Sequence, residues 1–134
     1  MVGFPGEGVD EFERTCALIS ALPFFYCHVF SFSMRPGTAA ARQSTRIHPA
    51  TVKSRAKILS EMSRRKRLAF YERYVGTTVQ ALFETRGEDG LWTGLTGNYV
   101  RVGVTGSDEL SNRVRNVLIT GVMDGLATGH LIHP

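Results

Sequence analysis

The chain has 134 residues, 43% of them hydrophobic and 21% charged, a balance that suits one ordinary domain or two small ones and argues against disorder. Its longest greasy stretch, 21–32, is broken by Pro23 and His28 and falls well short of the roughly 18 residues of a membrane span. The net charge of +4 is unevenly spread: 1–34 carries −3, 35–75 carries +9 and 76–134 carries −2. A basic middle third is the footprint of an element that meets a polyanion, although a solvated helix face gives the same count.

In chain order, 2–6 reads as the end of a strand running into a Gly-Pro-Gly turn. Asp10-Glu11-Phe12-Glu13 has the form of a capping box, with Asp10 as N-cap and Glu13 three residues on. Phe12, Cys16, Ile19 and Leu22 then mark one face of a helix that Pro23 ends. Aromatic-rich 25–32 is expected as a buried strand. Strand end, helix and strand together predict a βαβ unit with a parallel sheet. Parallel strands need cover on both faces, so this unit is expected to be the incomplete remainder of something that begins further N-terminal.

Residues 34–49 read as a loop. Thr51 is the expected N-cap of a long helix to about Tyr74, with Val52, Ala56, Leu59, Met62, Ala69, Phe70 and Tyr74 as its apolar stripe. Lys53, Arg55, Lys57, Arg64, Arg65 and Arg67 occupy its other faces, which makes it a basic connector. Gly76 supplies a stop signal. Beyond it the period becomes two. Val79, Ala81 and Phe83 alternate with polar residues, 91–95 forms a second strand, and 99–104 a third with Tyr99, Arg101 and Gly103 sharing a face. A polar loop through Gly106, Ser107 and Asp108 leads to strands at 114–122 and 126–132. Five short antiparallel strands predict a small OB-like barrel, with the boundary near Val75 and Gly76. The fold class is therefore α+β: a partial βαβ unit over 1–49, a connecting helix over 50–75 and a barrel over 76–134.

Little in the chain resembles a complete active site. Cys16 and Cys27 lie among apolar residues and read as small buried hydrophobes rather than a disulfide framework. No CxxC pair occurs, and His28, His48, His130 and His133 are too scattered to suggest a ligand set. GxSxG, HExxH and the P-loop lysine motif are all missing.

The motifs do resemble a family. Gly3-Phe4-Pro5-Gly6-Glu7, a helix, then 28–33 and Arg35-Pro36-Gly37-Thr38 are similar to the closing part of the radical-SAM barrel of methylthiotransferases. The segment 77–132 resembles their C-terminal TRAM domain, with 94–102 as its signature stretch. The wording at 26–30 with Arg35 is most similar to the threonylcarbamoyladenosine tRNA methylthiotransferases. Gly8 stands where relatives tend to carry Thr.

This resemblance implies two [4Fe–4S] clusters and S-adenosylmethionine in the full-length enzyme. Together they insert sulfur at C2 of a modified adenosine beside the tRNA anticodon and then methylate it, chemistry that needs a cofactor. Cluster iron takes thiolate ligands, and neither family cysteine motif occurs here, so this chain is expected to hold no cluster and to be inactive by itself. What it is expected to supply is part of the S-adenosylmethionine pocket, through Gly3, Phe4, Pro5, Gly6, Glu7 and Arg35, together with tRNA binding. The expected RNA-binding residues are Lys53, Arg64, Arg65, Lys66, Arg67, Trp92, Asn98, Tyr99 and Arg101, with Trp92 and Tyr99 stacking on unpaired bases. The expected partners are tRNA and the N-terminal portion of the enzyme, with no membrane and a cytoplasmic setting. Exposed apolar surface on 1–50 is expected to favour self-association. A stand-alone RNA-binding module is the competing reading, and a truncated reading frame without function a third.

Overall fold

The computed structural model describes residues 1–106 and 109–132. Ser107 and Asp108 of the expected polar loop, and His133, lie outside the described residues. Two compact units divide the chain, Met1–Lys66 and Arg67–Pro134.

In the first unit, helix α1 (Val9–Ala21) buries Phe12 against Val2 and Leu59, with Cys16, Ile19, Val29, Val52, Ala56 and Met62 packed around them. The expected capping box does not form. Gly8 is the N-cap and offers no side-chain hydrogen bond, because Asp10 is already inside the first turn. Asp10 and Glu11 there still favour the positive end of the helix dipole.

The expected strand at 25–32 is an extended segment without a ladder. Its one parallel bridge joins Val2 to Ser31, with the Val2 amide donating to the Phe30 carbonyl at 2.9 Å and the Phe32 amide to the Val2 carbonyl at 2.7 Å. The parallel sense agrees with a βαβ reading, but only one rung exists. Further along, a side chain replaces the ladder: the buried Ser63 hydroxyl accepts from the Cys27 amide at 2.9 Å and donates to the Cys27 carbonyl at 2.8 Å. The backbone at Cys27 is satisfied without a neighbouring strand.

Helix α2 (Pro49–Glu72) begins two residues before the expected N-cap, Thr51. Pro49, whose fixed φ suits a first helical position, opens it. His48 does the capping instead: its Nδ1 accepts the Ala50 amide at 3.2 Å and its carbonyl accepts the Val52 amide at 3.1 Å.

The second unit is a closed barrel of β1 (Thr78–Arg86), β2 (Leu91–Thr96), β3 (Arg101–Thr105), β4 (Arg113–Met123) and β5 (Leu126–Ile132), in the order β1-β2-β3-β5-β4. Four pairings are antiparallel as expected, but β3 and β5 pair in parallel, and that seam closes the barrel. The β4–β5 hairpin turns on Asp124 (φ 51°) and Gly125 (φ 78°), the left-handed pair that a tight two-residue turn requires. Phe83, Val102, Val104, Val117 and Ile119 fill the interior, joined by Trp92, Leu110 and, from the end of α2, Tyr71.

The third strand begins two residues later than the expected 99. β3 starts at Arg101, and its Val102, Gly103 and Val104 are all buried instead of alternating. With β2 on one side and β5 on the other, Gly103 sits beneath Leu91 and Leu126, leaving no outward face at that position.

Two stability measurements follow from this core. Phe83→Ala should destabilise the barrel by about 3–5 kcal/mol in urea unfolding, the usual cost of deleting a buried aromatic ring. Amides of β1 to β5 should resist hydrogen exchange far longer than those of 24–48, which make few backbone bonds.

Candidate functional site

The first unit contains a cavity of about 510 Å³ beside the Gly3-Phe4-Pro5-Gly6-Glu7 turn. Gly3 and Pro5 line it, together with Phe32, Met34, Ile47, Arg46 and Lys53. Gly3 has φ 82°, and a side chain there would collide with Val52 of α2, so the position demands glycine twice over. Phe4 is 40% exposed and packs edge-on against Phe32, with ring centroids 5.2 Å apart. The Gly6 amide donates to the Thr45 carbonyl at 3.1 Å and fastens the turn to the loop before α2.

Glu7 does not line the cavity. Its Oε2 accepts the Gly3 amide at 2.8 Å and lies 3.0 Å from the Arg55 guanidinium. Arg55 also donates to the Glu7 carbonyl at 2.6 Å and the Gly8 carbonyl at 3.0 Å, while covering the Phe12 ring at 5.0 Å. Charge counting had placed Arg55 on an exposed basic face; it is buried at 8% exposure. Its five donors let it satisfy a carboxylate and two carbonyls at once, which makes its burial tolerable. Arg35, expected near the same pocket, is exposed and is not among the cavity-lining residues; its carbonyl accepts from the Thr38 hydroxyl at 2.9 Å.

The basic run of α2 is partly consumed by local bonds. Arg64 and Arg65 both bind Glu61, at 2.8 and 3.0 Å. Their hydrogen bonds and charge hold the Glu61 carboxyl down at about 2. Lys66 donates to the Ser20 and Leu22 carbonyls at 3.3 and 2.8 Å and sits 5.0 Å from the centre of the Phe24 ring, capping the end of α1. Arg67 is half-buried, with its Nε unpartnered and its guanidinium close to the Gly125 turn. Four consecutive cations thus repel each other less than the sequence suggests. Lys53 is exposed.

In the barrel, the two aromatic candidates separate. Trp92 is only 4% exposed, packed in the core beneath the Arg86 guanidinium, so it presents no face for a base; its alternation in β2 points inward. Tyr99 is 67% exposed and lies in the β2–β3 turn, outside the strand it was expected to share with Arg101. Its φ of 65° is left-handed, an uncommon state for a bulky residue.

The surroundings enforce that state. The Tyr71 hydroxyl donates to the Tyr99 carbonyl at 3.4 Å and accepts the Arg101 amide at 3.1 Å. Thr96 Oγ1 accepts the Val100 amide at 2.9 Å and donates to Asn98 Oδ1 at 2.7 Å, and the Asn98 amide donates to the Tyr74 hydroxyl. Beside the turn lies an open groove of about 400 Å³ lined by Tyr99, Leu82, Leu95 and Val114, with Gln80 and Glu84. Sequence reading missed Tyr71 and Tyr74 in this role; the apolar stripe included Tyr74 as a helix residue and passed over Tyr71.

Iron–sulfur clusters do not fit the residues present. Among the described residues, no three His, Cys, Asp or Glu side chains gather as a metal-ligand set. The Cys16 thiol is pushed up by burial, then by Glu13 and Glu7, which disfavours the thiolate that cluster iron needs. Among the described residues, no helix is long and apolar enough to cross a membrane.

Comparison with known proteins gives the site its context. No protein-family model matches the chain. It is 34% identical over 115 residues to the threonylcarbamoyladenosine tRNA methylthiotransferase MtaB of Aquifex aeolicus, covering 86% of this chain and 27% of that protein. It is likewise 34% identical over 134 residues to the tRNA-2-methylthio-N(6)-dimethylallyladenosine synthases of Salmonella paratyphi B and Salmonella newport, covering 98% of this chain and 28% of theirs.

Two measurements test this geometry. By NMR, the Glu61 carboxyl should titrate near 2 rather than its ordinary 4.5, and Arg64→Gln with Arg65→Gln should return it toward 4.5. A lowered folded value means the pairing stabilises above pH 4.5 and is lost as pH falls through about 2. Arg55→Met, which strands the Glu7 carboxylate, should destabilise the first unit by about 3–5 kcal/mol, measured by denaturant unfolding.

The chain spans little more than a quarter of the curated relatives it matches, and over that span it is similar to tRNA methylthiotransferases.

Proposed function

We propose that this chain is the tRNA-gripping and ligand-cavity segment of a methylthiotransferase that converts N6-threonylcarbamoyladenosine beside the anticodon to its 2-methylthio derivative. The observation that carries the gripping role is Tyr99. Four side chains, Tyr71, Tyr74, Thr96 and Asn98, hold its turn in a left-handed conformation and leave its ring in solvent. Backbone states of this kind persist when the surroundings over-determine them, and they cluster at binding sites. An exposed ring on a rigid turn offers a stacking platform for an unpaired base. Asn98 and Arg101 flank it; on the first unit, separately, Lys53 and the one net positive charge that Arg64 and Arg65 keep after Glu61 offer attraction for phosphates.

Gly3 and Pro5 suit the wall of an S-adenosylmethionine pocket, because small residues let a ligand approach the backbone. Phe4 and Gly6 hold the turn's shape, and Glu7 fixes it through Arg55. Bound there, S-adenosylmethionine supplies the methyl group. The contribution of this chain is to hold the ligand and the RNA.

A stand-alone RNA-binding module is the second reading. One observation favours it: residues 67–134 form a compact unit with a closed barrel and a core of its own.

A tRNA titration tests the gripping role. Tyr99→Ala should weaken binding about tenfold, the worth of one stacked base, with the barrel still folded. Glu61→Gln should tighten binding and steepen the log–log salt dependence by about one unit, since it frees a cation pair for phosphates. Unchanged affinity in Tyr99→Ala would remove the β2–β3 turn from the interface.

A further inference from the structure

We infer that the groove on the outer face of the barrel reads one unpaired base of the RNA and prefers guanine, with Glu84 as the residue that selects it. The inference rests on the reading of the barrel as a tRNA-gripping element, and it adds a base identity to that role.

The lining decides what can lie there. Leu82 of β1 stands opposite Leu95 of β2 on one side and Val114 of β4 on the other, so the three make an apolar row across the strands. Leu82 and Val114 are 39% and 54% exposed, an open floor rather than a piece of the core. Among the described residues, the lining holds one carboxylate, Glu84, and no Lys or Arg. A ribose-phosphate backbone would find a hydrocarbon surface and a like charge in it. A base finds a flat floor for its ring and an acceptor for its edge. Charge for the flanking phosphates stands outside the groove, where Arg113 and Arg115 adjoin Val114 along β4 and are exposed.

Backbone geometry sets Glu84 apart from the other acids of the barrel. β1 carries a bulge here: Phe83 pairs with Gly94 and Thr85 with Thr93, so Glu84 has no partner on β2, and the ladder to β4 ends at Phe83. Bulges are common beside functional sites, where they re-aim a side chain. Gly94 permits the close approach of the two strands, because a Cβ there would lie 2.5 Å from the Leu82 carbonyl oxygen. The next cation along β1 does not neutralise Glu84. Arg86 covers the Trp92 ring and donates to the Gly90 and Gly106 carbonyls at 3.5 and 3.4 Å.

An ionised carboxylate only accepts, through two oxygens side by side. Guanine presents two adjacent donors on one edge, N1–H and N2–H, and the match gives two parallel charge-assisted bonds. Adenine and cytosine each set one exocyclic amine beside a ring nitrogen that repels the carboxylate, and uracil sets its one N–H between two carbonyls. The register puts Gln80 at the Tyr99 end of the groove and Glu84 at the far end, since Ala81 stands opposite Thr96 and Phe83 opposite Gly94. Ring and carboxylate thus serve successive bases. Gln80 both donates and accepts, so it imposes no identity of its own.

The experiment is a fluorescence anisotropy titration of the full chain with uridine hexamers that carry one internal guanosine, adenosine, cytidine, inosine or 7-deazaguanosine, and with the plain hexamer. The guanosine hexamer should bind about tenfold more tightly than those with adenosine, cytidine or uridine, the worth of one two-bond base contact. Inosine, which lacks the N2 amine, should bind at least about threefold more weakly than guanosine, and 7-deazaguanosine, which keeps both donors, should match it. Glu84→Gln should cost the guanosine hexamer about tenfold and leave the plain hexamer unchanged. Glu84 is exposed, so the substitution spares the core, and circular dichroism verifies the fold. Equal binding of all hexamers, a guanine preference that survives Glu84→Gln, or no binding of any hexamer at millimolar concentration would overturn the inference. Tyr99→Ala should weaken every hexamer alike, because stacking tolerates any base. If it does so while the bases remain indistinguishable, the guanine preference fails and the gripping role stands.

Discussion

The first unit depends on a charge that has no business in an apolar interior unless it is fully occupied. Arg55 is buried in α2, and Glu7 is almost as buried in the turn opposite. Removing both from water costs several kcal/mol per ion, which Coulomb attraction alone seldom offsets. Here the guanidinium also satisfies two carbonyls, and the carboxylate also takes the Gly3 amide. Three guanidinium N–H groups and the carboxylate Oε2 are thereby bonded. The pair therefore acts less as a source of stability than as a specification: it permits one placement of the Gly3–Glu7 turn on α2. The cavity wall inherits that placement, since Gly3 and Pro5 have no freedom once Glu7 is fixed.

Hydroxyl groups do the corresponding job in the barrel. Tyr71 reaches from the end of α2 to two backbone groups flanking the β2–β3 turn, and Tyr74 holds Asn98. A polar tip on a large ring can be buried and bonded together, so the helix contributes to the core and to the turn with the same residues. This is why an exposed Tyr99 in a left-handed conformation can be a fixed part of the molecule. A loop without those tethers would relax.

Much of this fold was legible in the chain. Period-two patterning located all five strands, and apolar spacing located both helices, because burial imposes its period on sequence directly. The errors fall where long-range contacts override local pattern. Ser63 satisfies the backbone at Cys27, and the strand expected there needs no partner. A capping box was legible at Asp10–Glu13, yet the helix had already begun at Val9. Arg55 looked like surface charge, because nothing local to α2 announces a carboxylate 48 residues away. Trp92 and Tyr99 were indistinguishable as stacking candidates until the strand boundary separated them, one inward and one in the turn.

The parallel seam between β3 and β5 has a consequence for how the molecule can fail. β5 is bonded on both sides, to β3 and to β4, so it is the keystone of the sheet. A stop codon just ahead of Leu126 would delete one short strand yet bare two rows of amides and carbonyls at once. Unpaired edges of that kind template pairing between separate molecules. Such a lesion would convert a sealed surface into an adhesive one, and its signature in the cell would be aggregation rather than a mild loss of grip.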